Sequence, residues 1–484
     1  MLTTRRSLMG LSAGLAAAGM LSRAGAVLAQ PAYGSGALIR QDVNTLAPDD
    51  PVITTYRETV AAMQALPDTD PRSWAHQARI HLGYCPHGNW FFLPWHRAYL
   101  AQFEEVIRGL SGDDSFVLPY WDWSRNPQIP APFWGSGNAL NHPRTATAST
   151  NMTAEFVGLD VIEVIMEKTD FEDFGSLKAS APFGGTGGGT TQLEGSPHNS
   201  VHGTIGGDMQ SFLSPLDPIF WLHHCNIDRI WASWNAAGNA NSADPDLAAF
   251  TFAPDQPDRG GTVNPSQFVD RTGAPRAFTV QDIYTTASLN YDYDRLEPTP
   301  QSNVLVAARS FAPRAELAET VSTALTQRAA AGEFLGARVT ADADRLGAVA
   351  QLGRLRDLAR NPAQRVALPA RLQTARLVIR GLLPPEDRQT TFRVFLNCDY
   401  LSVETPPNDP HYVGSGAFFL ASDHAARHGS DYQFDLAATL DALARAGRPV
   451  DETLRPQIIA LAPDGSGAEL EIDGTVEIVL QSLG

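Results

Sequence analysis

Two groups of histidines constrain this chain more than any other feature. Eight of its 12 histidines fall in two windows: His76, His81, His87 and His96, then His198, His202, His223 and His224. An even scatter would leave about half to two-thirds of a histidine in each window. His198 and His202 stand four residues apart, so on a helix they share one face, with Pro197 suited to its first turn. His96 lies on the stripe His96, Tyr99, Leu100, Phe103 and Ile107 of a helix expected from Pro94. His224 lies on another stripe with Phe220, Ile227, Trp231 and Trp234. Stripes that carry imidazoles converge where facing helices can build a metal site. Three histidines from each group would hold two metal ions, each with one position open to an oxygen ligand. Imidazole suits copper, zinc and iron, but a di-iron site would bring carboxylates with it. A zinc protease would use His-Glu-x-x-His, whereas this helix reads His198-Asn-Ser-Val-His202.

The chain has 484 residues and a net charge of −17. Such an acidic surface excludes nucleic acid and anionic membranes as natural partners and leaves a small substrate open. Its three cysteines, Cys85, Cys225 and Cys398, are too few for a disulfide framework in a chain this long. Cys85 and Cys225 sit inside the histidine groups. The first 29 residues read as an address. Thr4-Arg5-Arg6-Ser7-Leu8-Met9 is a twin-arginine signature, followed by a small-apolar run to Leu21 and by Val27-Leu28-Ala29 for signal peptidase. The expectation is a protein exported folded, with its metal already bound, to the periplasm or beyond, and without stable membrane association.

Helical patterning covers residues 55–110 and 197–234. Residues 124–195, rich in Pro, Gly, Ser, Thr and Asn, read as long loops. Residues 310–360 are rich in Ala, Arg and Leu, which predicts a helical linker over 301–369. From 370 onward, short apolar runs (Ala375–Ile379, Phe392–Leu396, Ala417–Leu420 and Glu469–Leu480) separated by turn residues predict a smaller β domain over 370–484.

The histidine windows resemble the copper motifs of the tyrosinase and polyphenol oxidase (catechol oxidase) family, type-3 dicopper proteins. The first reads Ile80-His81-Leu-Gly-Tyr84-Cys85-Pro86-His87-Gly-Asn-Trp90-Phe-Phe-Leu-Pro94-Trp95-His96-Arg97. The second reads Pro197-His198-Asn-Ser-Val-His202, then Asp217-Pro-Ile-Phe220-Trp-Leu-His223-His224-Cys-Asn-Ile-Asp228-Arg-Ile-Trp231. The resemblance implies a mainly α copper domain over 30–300, a four-helix-bundle core with long loops, followed by a β-sandwich-like domain able to cover the active site. It implies His81, His87 and His96 as ligands of one copper, and His198, His202 and His224 as ligands of the other, with His223 in support. His76 competes with His81, because the His81–His87 connection is shorter than the family usually has.

The implied chemistry is oxidation of phenols or catechols to ortho-quinones by dioxygen, through a peroxide held between the coppers. An ortho-aminophenol oxidase and a haemocyanin-like oxygen carrier are the alternatives, and a copper-delivering helper protein is an expected partner. Cys85-Pro-His87 matches a pattern that forms a Cys–His thioether in some members. Glu194 and Asn199 stand where related enzymes hold a water that acts as base, and Phe212 resembles a phenylalanine that shields the copper site. Phe418 or Phe419 is expected to cover the entrance. Asp228 is expected either to orient an imidazole or to join an ion pair.

Overall fold

Local chemistry sets the helices that matter. Helix α1 (Pro51–Ala65) starts on a proline, with the Asp50 carboxylate accepting from the Val52 amide at 2.9 Å; α2 (Trp74–Tyr84) is capped by Ser73, whose hydroxyl accepts from the His76 amide. Helix α3 (Phe92–Ser111) begins two residues before Pro94 and ends at Gly112, whose left-handed conformation (φ 73°) suits a residue without Cβ. The second histidine segment opens as a single wide π-helical turn, Glu194–His198, with Pro197 inside it. It passes directly into α4 (Asn199–Ile205), and α5 (Ile219–Ala236) follows. The computed structural model describes residues 36–261, 267–298, 319–359, 372–419, 429–448 and 451–483, and those from Ala37 onward belong to one compact unit. The twin-arginine segment lies outside the described residues. Among them, no helix is long and apolar enough to cross a membrane.

Aromatic rings pack the helices together. Trp90, Phe91, Phe92 and Trp95 are all buried in the same core as Trp221, Trp231 and Trp234. Phe103 of α3 stacks on Trp221 of α5 with ring centroids 3.4 Å apart. A buried ionic knot ties the ends of this domain to its centre. Strand β1 (Leu38–Arg40) pairs in parallel with β2 (Tyr291–Tyr293). From β1, Arg40 reaches Glu104 at 2.9 Å and Asp228 at 3.1 Å, while Arg97 reaches Asp228 at 2.6 Å. The hydroxyls of Tyr291 and Tyr293 also donate to Asp228. Burial alone would raise the Asp228 carboxyl, but Arg97 and Arg40 hold it below the usual carboxylate range. Asp228 therefore serves the ion-pair role and orients no imidazole.

The C-terminal region consists of two antiparallel four-stranded sheets. One runs β8 (Ser430–Asp435), β5 (Leu372–Leu383), β10 (Leu470–Leu483), β3 (Glu319–Ala329); the other runs β7 (Tyr412–Ala417), β6 (Thr391–Leu396), β9 (Pro456–Leu461), β4 (Phe334–Gly336). Leu377, Ile379 and Ile478 from the first sheet share a core with Val394 and Ile458 from the second, as expected of a sandwich. The helical linker expected over 301–369 needs correction. Residues 319–329 are a strand paired with β10 from Glu319↔Leu480 to Ala329↔Leu470. Thr320, Val321, Thr323 and Thr326 favour a strand, and the long partner in β10 outweighs the helix-forming alanines. Among the described residues of that stretch, Ala343–Ala359 is helical.

The two domains meet over the histidines. The Thr190 amide donates to Asp431 and its carbonyl accepts from Gln433, which adds a stretch of the helical domain to the edge of β8. Ion pairs Arg393–Glu155 (2.6 Å), Arg376–Asp173 (2.9 Å) and Lys168–Asp435 (3.0 Å) surround this seam. Just beyond β7, Phe418 turns into the core of the β domain and Phe419 into the core of the helical domain. Opposite facing of neighbours is the natural result of extended chain.

Candidate metal centre

Helices α2, α3, α4 and α5, with the turns at Cys85–His87 and Glu194–His198, bring the histidines to one place. His81, Cys85, His87 and His96 form one group and His198, His202, His223 and His224 a second, with the candidate ligand atoms of each group within 4.8 Å of one another. The two groups face each other: His96 and His224 stack with centroids 4.2 Å apart and planes 8° apart. His76, although on α2, belongs to neither group. Its amide is tied to the Ser73 cap.

Backbone carbonyls fix the protons on several of these rings. His81 Nδ1 lies 2.8 Å from the Phe212 carbonyl, His96 Nδ1 2.8 Å from the Phe92 carbonyl and His202 Nδ1 2.6 Å from the Met209 carbonyl. His198 Nδ1 lies 2.8 Å from Asn199 Oδ1. Each of these nitrogens donates, which leaves the Nε2 lone pair free to bind a metal. Burial first, and then the neighbouring imidazoles, push His81, His87, His96, His202 and His224 well below the usual histidine range; burial takes His198 to about 3. All are neutral, as ligands must be.

These nitrogens fit metal ions. His81 Nε2 and His96 Nε2 face each other at 3.5 Å, two lone pairs with no proton between them. Two nitrogens about 2.0–2.1 Å from one ion would stand about 3.4 Å apart at a tetrahedral angle. In the second group His202 Nε2 and His224 Nε2 are 3.4 Å apart, and His198 Nε2 is buried without a hydrogen-bond partner. His223 differs: its Nδ1 accepts from Trp123 Nε1 at 3.2 Å. The proton of this neutral ring therefore sits on Nε2, where it blocks metal binding.

The remaining candidates take distinct places. Glu194 is buried, with Oε1 accepting from the Gly88 amide (2.7 Å) and Oε2 from the Ser176 hydroxyl (2.6 Å). Burial raises it to about 7 against these two hydrogen bonds. Asn199 holds His198 with its oxygen and donates from Nδ2 to the Ala417 carbonyl at 2.9 Å. No hydrogen bond joins Glu194 and Asn199 side chain to side chain. Phe212 contributes its carbonyl to His81 and packs its ring 5.5 Å from His87. Cys85 Sγ lies 3.2 Å from His87 Nδ1 and 3.6 Å from Nε2, beside the ring carbon bonded to both. Cys225 and Cys398 are buried outside the groups. The Phe419 ring lies over the site, 4.5 Å from His87 and 4.7 Å from His202 between centroids. Sequence reasoning missed Ser176, Trp123 and the three carbonyls; a carbonyl carries no side-chain signal.

The family model for the common central domain of tyrosinase matches residues 59–162 and 136–237, overlapping segments that contain both histidine groups. A tyrosinase from Hahella sp. (strain CCB-MM4) is 32% identical over 324 residues, covering 56% of this chain and 66% of the relative. A chloroplastic polyphenol oxidase from Malus domestica is 26% identical, covering 77% of this chain and 67% of the relative. The chain thus spans about two thirds of the length of these two relatives, and 47% of a Spinacia oleracea polyphenol oxidase. Among solved structures, latent apple tyrosinase shares the fold, with a TM-score of 0.65 at 21% identity over 93% of this chain and 98% of that one.

Proposed function

Because the chain belongs to the tyrosinase and polyphenol oxidase family, we propose that it is a copper oxidoreductase that converts phenols or catechols to ortho-quinones with dioxygen. His81, His87 and His96 would hold one copper, and His198, His202 and His224 the other. The opposed Nε2 lone pairs of His81 and His96 carry this reading. When bound, the two coppers supply two-electron redox chemistry and open positions for dioxygen. The protein's own part is to keep six imidazoles neutral and aimed, to exclude water, and to move the substrate's proton. Metal analysis with oxygen uptake on a monophenol and its matching catechol tests this. Two coppers per chain with quinone release supports it, and absence of copper after copper loading overturns it. Oxygen binding without turnover would favour a carrier.

Phe419 gives the reading a second part. Its ring occupies the space where a phenol would approach both histidine groups, so the resting protein is covered by its own C-terminal domain. The twin-arginine segment supports export to the periplasm or beyond, and a copper-delivering helper protein is a natural partner.

Glu194, a buried carboxylate held by the Gly88 amide and the Ser176 hydroxyl, is our candidate for the base that takes the proton of a monophenol. Its Gln variant keeps an acceptor for the Gly88 amide and a donor for the Ser176 oxygen, so the fold should be unchanged. Glu194→Gln is expected to lower monophenol turnover roughly 10²-fold or more while sparing catechol turnover. In the native enzyme the monophenol rate should fall as pH drops through the Glu194 pKa, where the base becomes protonated. Bound copper would draw that pKa below the metal-free value of about 7. Equal loss on both substrates would remove Glu194 from this role.

The sulfur beside His87 leads to a further expectation. With copper and dioxygen as the oxidant, the S–H bond of Cys85 and a ring C–H bond of His87 break, a C–S bond forms, and the two protons and two electrons released reduce dioxygen to hydrogen peroxide. Peptide mass spectrometry should find the Cys85 and His87 fragment lighter by two hydrogens after copper loading, and at unmodified mass in Cys85→Ser.

A further inference from the structure

The metal centre has a second side that Phe419 does not cover. Among the eight metal-site side chains only His87 is not fully buried, and its exposed edge forms part of the wall of a cavity of about 340 Å³. Asn89, Ala181, Phe183, Gly187 and Arg259 are among the residues that line the rest. The glycines keep this wall thin: Gly187, at φ 82°, would bring a Cβ within 2.7 Å of the Lys178 carbonyl.

Arg259 is the one charged residue in this wall. Its Cζ sits 3.7 Å above the Phe212 ring centroid and 5.9 Å from that of Phe183. It donates through Nη2 to the Cys85 carbonyl, while its Nε is buried without a partner. No carboxylate lies within salt-bridge distance of it among the described residues. Burial pulls the guanidinium below its usual range, with only the Cys85 thiol opposing. An unmatched, partly desolvated cation costs free energy unless an anion completes it. It is unusual to keep one in a chain of net charge −17, where acidic partners are abundant. Asn89 cannot serve as the polar contact, because its amide is consumed by the His87 and Pro182 carbonyls and the Phe91 amide.

We propose that this cavity is a subsite for the carboxylate of an aromatic acid, with Arg259 as the specificity-determining residue. Resting on the oxidase reading, it makes phenolic acids the favoured substrates. Arg259 supplies a planar guanidinium donor for a carboxylate, and Phe183 supplies aromatic surface in the same wall.

The test uses the full chain stripped of copper by a chelator, so that binding cannot come from the metals. Benzoate and benzamide, alike in shape and different in charge, are titrated by calorimetry. Benzoate should bind about tenfold tighter or more. R259Q should abolish that preference, and R259K should keep part of it. Equal affinities in the native protein, or an unchanged benzoate affinity in a folded R259Q, overturn the subsite. Thermal melting and copper uptake establish that each variant is folded. If benzoate preference holds while the copper-loaded protein oxidises no phenol, the subsite stands and the oxidase reading falls. Turnover without benzoate preference means the reverse.

Discussion

Replacing His96 with alanine should leave one copper in the purified protein instead of two and lower catechol oxidation by roughly 10³-fold or more, since the chemistry needs both metals. His96 is buried on α3, with its Nδ1 proton fixed on the Phe92 carbonyl one turn earlier. Its Nε2 lies 3.5 Å from that of His81, so removing the ring takes away half of the nitrogen pair that best defines the first site. The same ring stacks on His224 of the second group, so the remaining copper should also lose affinity. Truncating a buried ring costs about 2–4 kcal/mol of stability, so a melting curve must accompany the copper assay. His223→Ala is the informative control. It removes an equally buried imidazole whose Nδ1 is engaged by Trp123, and it should retain two coppers. If His96→Ala also kept two coppers and its turnover, the ligand assignment would be wrong.

Phe419→Ala should act in the opposite direction and raise catechol kcat/KM. A covered enzyme binds substrate only in the fraction of time its cover is lifted, and apparent affinity falls by that fraction. Lifting the cover exposes a phenylalanine ring that is 8% exposed in the closed state. Exposing such a ring costs about 1.5–3 kcal/mol, and each 1.4 kcal/mol is tenfold. The expected gain is therefore roughly 10- to 100-fold. Phe418→Ala makes the contrast: that ring belongs to the core of the β domain, so it should destabilise the domain without the same direct unblocking. Equal activity of Phe419→Ala and the native protein at matched copper content would remove Phe419 from the entrance.

The histidines were legible because chemistry and spacing coincide in them. The four-residue separation of His198 and His202 needs no tertiary information to become one face. What sharpened the site could not be read the same way. The carbonyls of Phe92, Met209 and Phe212 decide which nitrogen of each ring is free, and their positions depend on how loops return to the helices. The strand at 319–329 was hidden by alanine, arginine and leucine, because strand formation there depends on β10, whose paired residues lie about 140 to 160 positions later. Alternation says that Phe418 and Phe419 face opposite ways, but only the docked domains say which one faces the metals. For Arg259 no local pattern exists at all; its neighbours Cys85 and Phe212 are remote in sequence.

Asn199 reaches in two directions, and this has a consequence for any transition between covered and open protein. Its oxygen holds the His198 ring and its nitrogen holds the Ala417 carbonyl, which also accepts from the Tyr432 hydroxyl at 3.0 Å. Ala417 stands two residues before Phe419. Withdrawing the β domain therefore releases one anchor of the asparagine that keeps a second-site imidazole in register. Lifting the cover would then also retune the metal, and the expected outcome is that covered and open forms differ in colour and redox behaviour as well as in access.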